Sequence, residues 1–293
     1  MKKYAFGILF SLFLTAFTLY SLLDVFVIPR TYAGAVEQAV EAEAESISTE
    51  AQDESISDES VGEPEITIST YRENDTTVYV ADIVVPDPSW LKTAFAYDTY
   101  GKNIKDKTSN IAAEHNAVLA INGDFYGSRN TGFVVRNGVI YRDTSSGGEA
   151  LVIYSDGSFE IVNEDDTTAQ ELVQNGAVQV LSFGPALVEN GTISVTKSDE
   201  VGKAMASNPR TAIGIIDENH YIFVVSDGRT SESEGLSLLE LAEFCQSLGA
   251  ETVYNLDGGG SSTMVYLGEV INNPTTSGNN IKEREVSDIV YIG

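Results

Sequence analysis

Residues 255–263 read Asn-Leu-Asp-Gly-Gly-Gly-Ser-Ser-Thr, and three glycines in a row are hard to place in any packed element. Glycine loses more backbone entropy on folding than any other residue. A glycine run beside one carboxylate and two hydroxyls therefore implies a backbone that must come close to something. The apolar Thr252-Val253-Tyr254 ahead of it reads as a strand that ends at the run. Taken alone, the stretch fits a turn without chemistry as well as it fits a polar, backbone-lined pocket.

The preceding residues favour the pocket. Leu238, Leu241, Ala242, Cys245 and Leu248 repeat at helical spacing, Ser237 and Glu240 form a capping box, and Gly249 is a suitable stop. With strands over 221–225 and 252–256, the order is strand, helix, strand. Such a unit implies parallel neighbouring strands with a right-handed crossover. The loops after both strands, Asp227-Gly228-Arg229 and Asp257-Gly258-Gly259-Gly260, then share one edge of the sheet, where ligands bind in units of this kind. The first half repeats the pattern. A strand over 91–97, a helix over 109–115 and a strand over 117–121 place Asn122-Gly123-Asp124-Phe125-Tyr126 at a carboxyl edge too.

The rest of the chain is hairpins. Alternating strands over 66–71 and 77–85 turn at Glu73-Asn74-Asp75; others turn at Asn137-Gly138, Asp156-Gly157 and Asp217-Glu218-Asn219. A short helix fits 168–174. The expected class is α+β: a mixed β-sheet domain over residues 66–293 with several hairpins and at least one βαβ unit.

Two segments precede that domain. Residues 1–30 carry Lys2 and Lys3 and then an uncharged run from Tyr4 to Leu23, long enough as a helix to match a hydrocarbon core of ~30 Å. A single-pass anchor with the remainder extracytoplasmic is expected. The alternative is a signal peptide cleaved near Ala33-Gly34-Ala35, after which the protein is secreted. Residues 31–65 are Ala, Glu and Ser loosely repeated, with 11 acids and no Lys or Arg over 34–65; they read as a disordered acidic linker, or stalk.

The chain has 17 Lys+Arg against 44 Asp+Glu, a formal charge of -27. That balance excludes nucleic acid as a partner, since phosphate backbones are gripped through basic patches. The single cysteine, Cys245, can form no disulfide within the chain and falls on the apolar face of a helix, a packing position.

Three carboxylates, Asp124, Asp227 and Asp257, lie in the edge loops. Glycoside cleavage needs one carboxyl as proton donor and another as nucleophile or base. Against this, Asp before Gly is often only a turn residue. Arg210, in Asn208-Pro209-Arg210-Thr211, stands at a strand mouth and offers a planar fork for phosphate or carboxylate oxygens, with Arg229 and Arg284 as its companions. The amides of Gly258, Gly259 and Gly260 could cradle an anion as a nest. Two histidines, His115 and His220, give no basis for a Ser-His relay or a zinc site. No motif demands a cofactor; an oxygen-ligated calcium or magnesium ion at Asp124, Asp257 and nearby carbonyls is the one the carboxylates allow.

Residues 120–126, 208–214, 227–229, 235–243 and 255–263 come in the order seen in the phosphodiester glycosidase family, which the chain resembles over residues 66–293. Asn272-Asn273-Pro274 and Arg284-Glu285-Val286 are similar to its C-terminal pattern. Bacterial relatives in this family are often labelled exopolysaccharide biosynthesis proteins. The resemblance implies a hydrolase that releases a sugar from a sugar-1-phosphodiester, here in a cell-envelope or exopolysaccharide glycan. The implied catalytic carboxylates are Asp257 with Asp124 or Asp227. Arg210, Arg229, Arg284, Asn122, Asn255, Gly258, Gly259, Gly260 and Ser261 are the implied substrate-binding set. The competing reading is a non-catalytic envelope-glycan binding or polysaccharide-assembly protein that uses the same pocket.

Overall fold

The computed structural model describes residues 2–31, 62–198, 207–277 and 280–293. The expected acidic linker lies almost wholly in residues 32–61, outside the described residues. The apolar N-terminal run forms the helix Lys2–Phe26, with Leu9, Phe13 and Phe17 among its exposed side chains. Among the described residues, no helix is long and apolar enough to cross a membrane.

Three sheets of five, seven and five strands form the body of the globular part, beside three two-stranded pairings among the described residues. The largest runs Thr192–Ile193, Ala186–Glu189, Thr252–Asn255, Arg210–Asp217, His220–Ser226, Thr76–Val84, Glu65–Glu73. A second has the order Glu269–Val270, Met264–Tyr266, Leu119–Asn122, Asp288–Ile292, Leu91–Phe95, and a third the order Phe159–Asn163, Glu149–Tyr154, Ala177–Leu181, Val134–Arg136, Val139–Arg142. Side-chain alternation explains how they pack. In the large sheet Ala212, Ile222, Val224 and Val253 face the helix Leu238–Ser247, whereas Ile213, Phe223, Val225 and Tyr254 face inward. There they meet Leu119, Ile121 and Val290 of the second sheet and Leu151, Ile153 and Leu181 of the third, so one core joins all three.

The four expected hairpins form, and the helix Leu238–Ser247 carries the Ser237–Glu240 capping box. The expected neighbour relation does not. His220–Ser226 and Thr252–Asn255 both pair antiparallel with Arg210–Asp217, which lies between them. They are therefore co-directional but not adjacent. Leu91–Phe95 and Leu119–Asn122 are related in the same way across Asp288–Ile292. In the first case the preceding hairpin strand, and in the second the C-terminal strand, inserts into the βαβ unit, and every ladder among the described residues is antiparallel. The functional consequence survives. The loops after the two co-directional strands still share an edge, and the inserted strands bring their first residues, Arg210 and Asp288, to it.

A buried ionic junction holds the second and third sheets together at that edge. Arg136, 3% exposed, places Nη2 2.7 Å from Asp288 Oδ2 and 3.2 Å from Asp124 Oδ2, while Nη1 donates to the Val180 carbonyl at 2.6 Å. Asp124 also accepts from the amides of Tyr126 (3.0 Å) and Ser182 (2.9 Å), and its own amide donates to Asp288 Oδ1 (3.2 Å). A buried charge without its partner is strongly unfavourable. Arg136→Ala strands two buried carboxylates, and its unfolding free energy should fall by about 3–5 kcal/mol in a denaturant titration. A loss under about 0.5 kcal/mol, the usual scatter of surface substitutions, would mean the junction holds nothing.

Candidate functional site

The glycine run sits where the two halves of the domain meet. Asn122, fully buried at the end of its strand, donates from Nδ2 to the Asp257 carbonyl at 2.7 Å. Its Oδ1 accepts from Thr211 Oγ1 at 2.9 Å and from the Thr263 amide at 3.2 Å. One amide side chain thus joins the second sheet, the large sheet and both ends of the loop. It is a positioning residue for Asp257. Asn255 acts similarly, its Nδ2 donating to the Gly184 carbonyl at 2.7 Å.

Glycine is required in the run because side chains close in on it. A Cβ on Gly259, whose φ is +62°, would lie 2.9 Å from Arg229 Nη2; one on Gly260 would lie 2.6 Å from Thr276 Oγ1 and 2.7 Å from Arg284 Nη2. Two guanidiniums therefore lean against the loop. Arg229 is fixed there by Asn208 Oδ1 (3.0 Å from Nη2) and the Thr276 carbonyl (2.9 Å from Nη1). The anion nest expected of residues 258–260 forms only in part, because the Gly259 amide donates to the Pro209 carbonyl (2.8 Å) and the Gly258 amide favours the Asp257 carboxylate.

Asp257 is half-buried among cations. Burial pushes its carboxyl above the ordinary value, opposed by the Ser261 hydroxyl and by Arg284 and Arg129. Lys105 also feels Asp257: burial pushes its ammonium down, Arg284 adds to this and Asp257 opposes it. The Lys105 Nζ donates to Ser128 Oγ at 3.0 Å, and the Arg129 guanidinium lies 4.8 Å from the Phe183 ring centre. Burial and the neighbouring Arg284 likewise lower the Arg229 pKa. Arg229 and Arg284 both lie at the loop of a strongly acidic chain, and local positive charge of this kind suits an anion. Beside them the hydroxyls of Ser262 and Thr263 are buried without a hydrogen-bond partner among the described residues.

The expected carboxylate pair is not assembled. Asp124 is consumed by Arg136 and two amides. Asp227, 3% exposed, braces the next loop: its Oδ1 accepts from the Asn273 amide (2.8 Å) and its Oδ2 from Asn273 Nδ2 (3.0 Å). It also helps burial push the Tyr79 hydroxyl up to about 12. Arg210 is buried, with Nε donating to the Leu236 carbonyl at 2.8 Å. The calcium or magnesium site that the sequence allowed at Asp124 and Asp257 has the wrong surroundings, since each carboxylate faces guanidinium groups. Among the described residues no group of three His, Cys, Asp or Glu is placed to hold a metal. Lys105 and Arg129 are the site residues that motif reading missed. Arg129 follows the 122–126 motif closely, and cation scarcity, the argument applied to Arg229 and Arg284, would have found it.

A family model described as phosphodiester glycosidase matches residues 115–293. The chain belongs to the phosphodiester glycosidase family. Among its relatives, the SPbeta prophage-derived uncharacterized protein YomE of Bacillus subtilis (strain 168) is 27% identical over 201 residues, 63% of this chain and 31% of the relative. The N-acetylglucosamine-1-phosphodiester alpha-N-acetylglucosaminidase of Mus musculus is 35% identical over 113 residues, 34% of this chain and 22% of that enzyme. The chain thus spans less than a third of either relative. In fold it is similar to the zebrafish catalytic domain of the same enzyme, solved in a form auto-inhibited by its pro-peptide. The TM-score is 0.63 at 21% identity, covering 80% of this chain and 84% of that one.

The buried junction behind the family's glycine loop gives a pH test. Burial first, then Asp124, pushes the Asp288 carboxyl up to about 7, with Arg136 opposing. A carboxyl with a raised folded pKa binds its proton more tightly when folded. Its contribution is complete below the unfolded value of 3.8 and is lost as pH rises through about 7. Stability should therefore fall between about pH 4 and 7 more steeply in the wild type than in Asp288→Asn, compared as a difference because the net charge also acts. Parallel pH profiles would remove this assignment.

Proposed function

We propose that this chain is an extracytoplasmic hydrolase that cleaves the sugar–phosphate bond of a sugar-1-phosphodiester in a cell-envelope or exopolysaccharide glycan. The observation that carries the reading is Asp257, half-buried against the glycine loop with Arg284, Arg129 and Lys105 acting on it. A phosphodiester brings one negative charge, and its departing phosphate gains another. The cations hold the first and neutralise the second, so charge stabilisation contributes most to the step. Asp257 faces the anomeric carbon as nucleophile or as base for water. The departing phosphate is a good leaving group and makes little demand on a second carboxyl, which fits the engagement of Asp124 and Asp227 elsewhere. Arg229 shapes the loop and adds to the field, and Asn122 and Asn255 position it. The mammalian relatives' names point to N-acetylglucosamine as the sugar.

The N-terminal helix is proposed to anchor the chain in a membrane as a single pass. Support comes from the uncharged sequence run Tyr4 to Leu23, which begins before the first described side chain, Ile8, and from the exposure of its apolar side chains.

A non-catalytic glycan-binding role is the second reading, favoured by the lack of a second carboxylate acting on Asp257 among the described residues. Turnover separates the two. Wild-type protein should hydrolyse a synthetic sugar-1-phosphodiester; Asp257→Asn should lose at least ~10²-fold in kcat/KM and Arg284→Met about 10²-fold. Because the ionised carboxylate acts, the acid limb of kcat/KM should lie above the ordinary carboxyl value of 3.8. A folded Asp257→Asn protein with full activity removes the assignment, and saturable binding without product supports the binding module.

A further inference from the structure

The end of the N-terminal helix is fastened to the domain, and it is fastened beside the candidate site. Arg30 and Thr31 pair antiparallel with Lys102 and Gly101. Asn103 Nδ2 donates to the Ile28 carbonyl at 3.1 Å, and Arg30 forms an ion pair with Asp24 of the helix. The helix is thus tied to the globular part before the 32–61 stretch begins. The receiving residues continue directly into the site. The Asn103 amide donates to the Gly127 carbonyl at 3.1 Å, next to Ser128, which holds Lys105, and to Arg129. Asn103 and Lys105 are two residues apart, about 7 Å of extended chain. One short segment therefore touches both the helix end and the cations around Asp257.

We infer that the domain works docked on the end of its own helix, with the Asp257 site held at the bilayer surface, and that its substrate is a lipid-linked sugar-1-phosphodiester in the headgroup region. This rests on the hydrolase and anchor readings above. A chain of charge -27 is repelled by an anionic leaflet, so diffusion alone would keep the site away from such a substrate. A fixed contact at the helix end overcomes that repulsion and raises the effective concentration of membrane-bound substrate. The alternative is a domain that hangs at the far end of residues 32–61 and samples distal glycan.

Full-length protein in phosphatidylglycerol–phosphatidylethanolamine vesicles provides the test, with two probes of the same sugar-1-phosphate, one esterified to methanol and one to a diacylglycerol in the vesicle. Wild-type protein should favour the diacylglycerol probe by roughly tenfold or more in kcat/KM. A 20-residue Gly/Ser insertion between Val27 and Ile28, about 25 Å of coil, should abolish that preference and leave methyl-ester turnover unchanged. Docking itself is read without activity. The Arg30→Cys/Lys102→Cys protein should form an intramolecular disulfide on mild oxidation in vesicles, with Cys245 buried and out of reach. Equal use of both probes, or a preference that survives the insertion, overturns the substrate inference while the hydrolase reading stands. Turnover of neither probe removes the hydrolase reading and the substrate inference with it. Failure of the disulfide overturns the docking.

Discussion

Arg136 is the group on which the rest of the edge depends. A guanidinium so deeply buried survives only where carboxylates and carbonyls meet it at close range, and here those partners come from two sheets. Asp124 lies just after the end of one strand and Asp288 begins the next; Val180 and Arg136 itself belong to another sheet. Packing alone would let the two sheets slide on a shared apolar core. The ionic junction fixes the loop after Asn122, and Asn122 in turn holds the carbonyl of Asp257. The position of the candidate carboxylate is thus set by a buried charge cluster that does not touch it.

That order of dependence separates holding from acting. Asp124, Asp227 and Arg210 are polar, buried and near the motifs, yet their bonds are all to the protein's own groups. Asp257, Lys105, Arg129 and Arg284 are different. They gather charge at the loop, where burial raises the Asp257 carboxyl against the pull of Arg284 and Arg129 and lowers the Lys105 ammonium, with Arg284 adding to the latter. Such frustration costs stability and is usually retained where a ligand relieves it. On the proposed reading an anion supplies that relief, and the two partnerless hydroxyls of Ser262 and Thr263 among the described residues suit the same kind of guest.

Much of this was legible in the residues. Period-two alternation and Asn-Gly or Asp-Gly turns located the hairpins, and the capping box located the helix before the glycine run. Local pattern could not show which strand lies between two others. Asp288–Ile292 enters its βαβ unit from the far end of the chain, and although Arg210–Asp217 was legible as the hairpin partner of His220–Ser226, nothing in it announced Thr252–Asn255 on its other side. The carboxylates failed for a related reason. An Asp followed by Gly or Phe looks the same whether it faces substrate or a buried arginine, and Arg136 sits in an ordinary hairpin strand. The arginines were easier to single out, because in a chain with so few cations each one near a motif carries information, and Arg229 and Arg284 both lie against the glycine loop.

The central claim is that the cations beside Asp257 receive the phosphate of a sugar-1-phosphate, with the anomeric carbon turned to the carboxylate. The most direct measurement is a crystal structure of the protein soaked with the sugar-1-phosphate. The account predicts phosphate oxygens within hydrogen-bond distance of Arg284 and at least one of Arg129 and Lys105, and the anomeric carbon as the sugar atom nearest Asp257. A phosphate bound beside Asp227, or a sugar with its anomeric carbon turned away from Asp257, would contradict it.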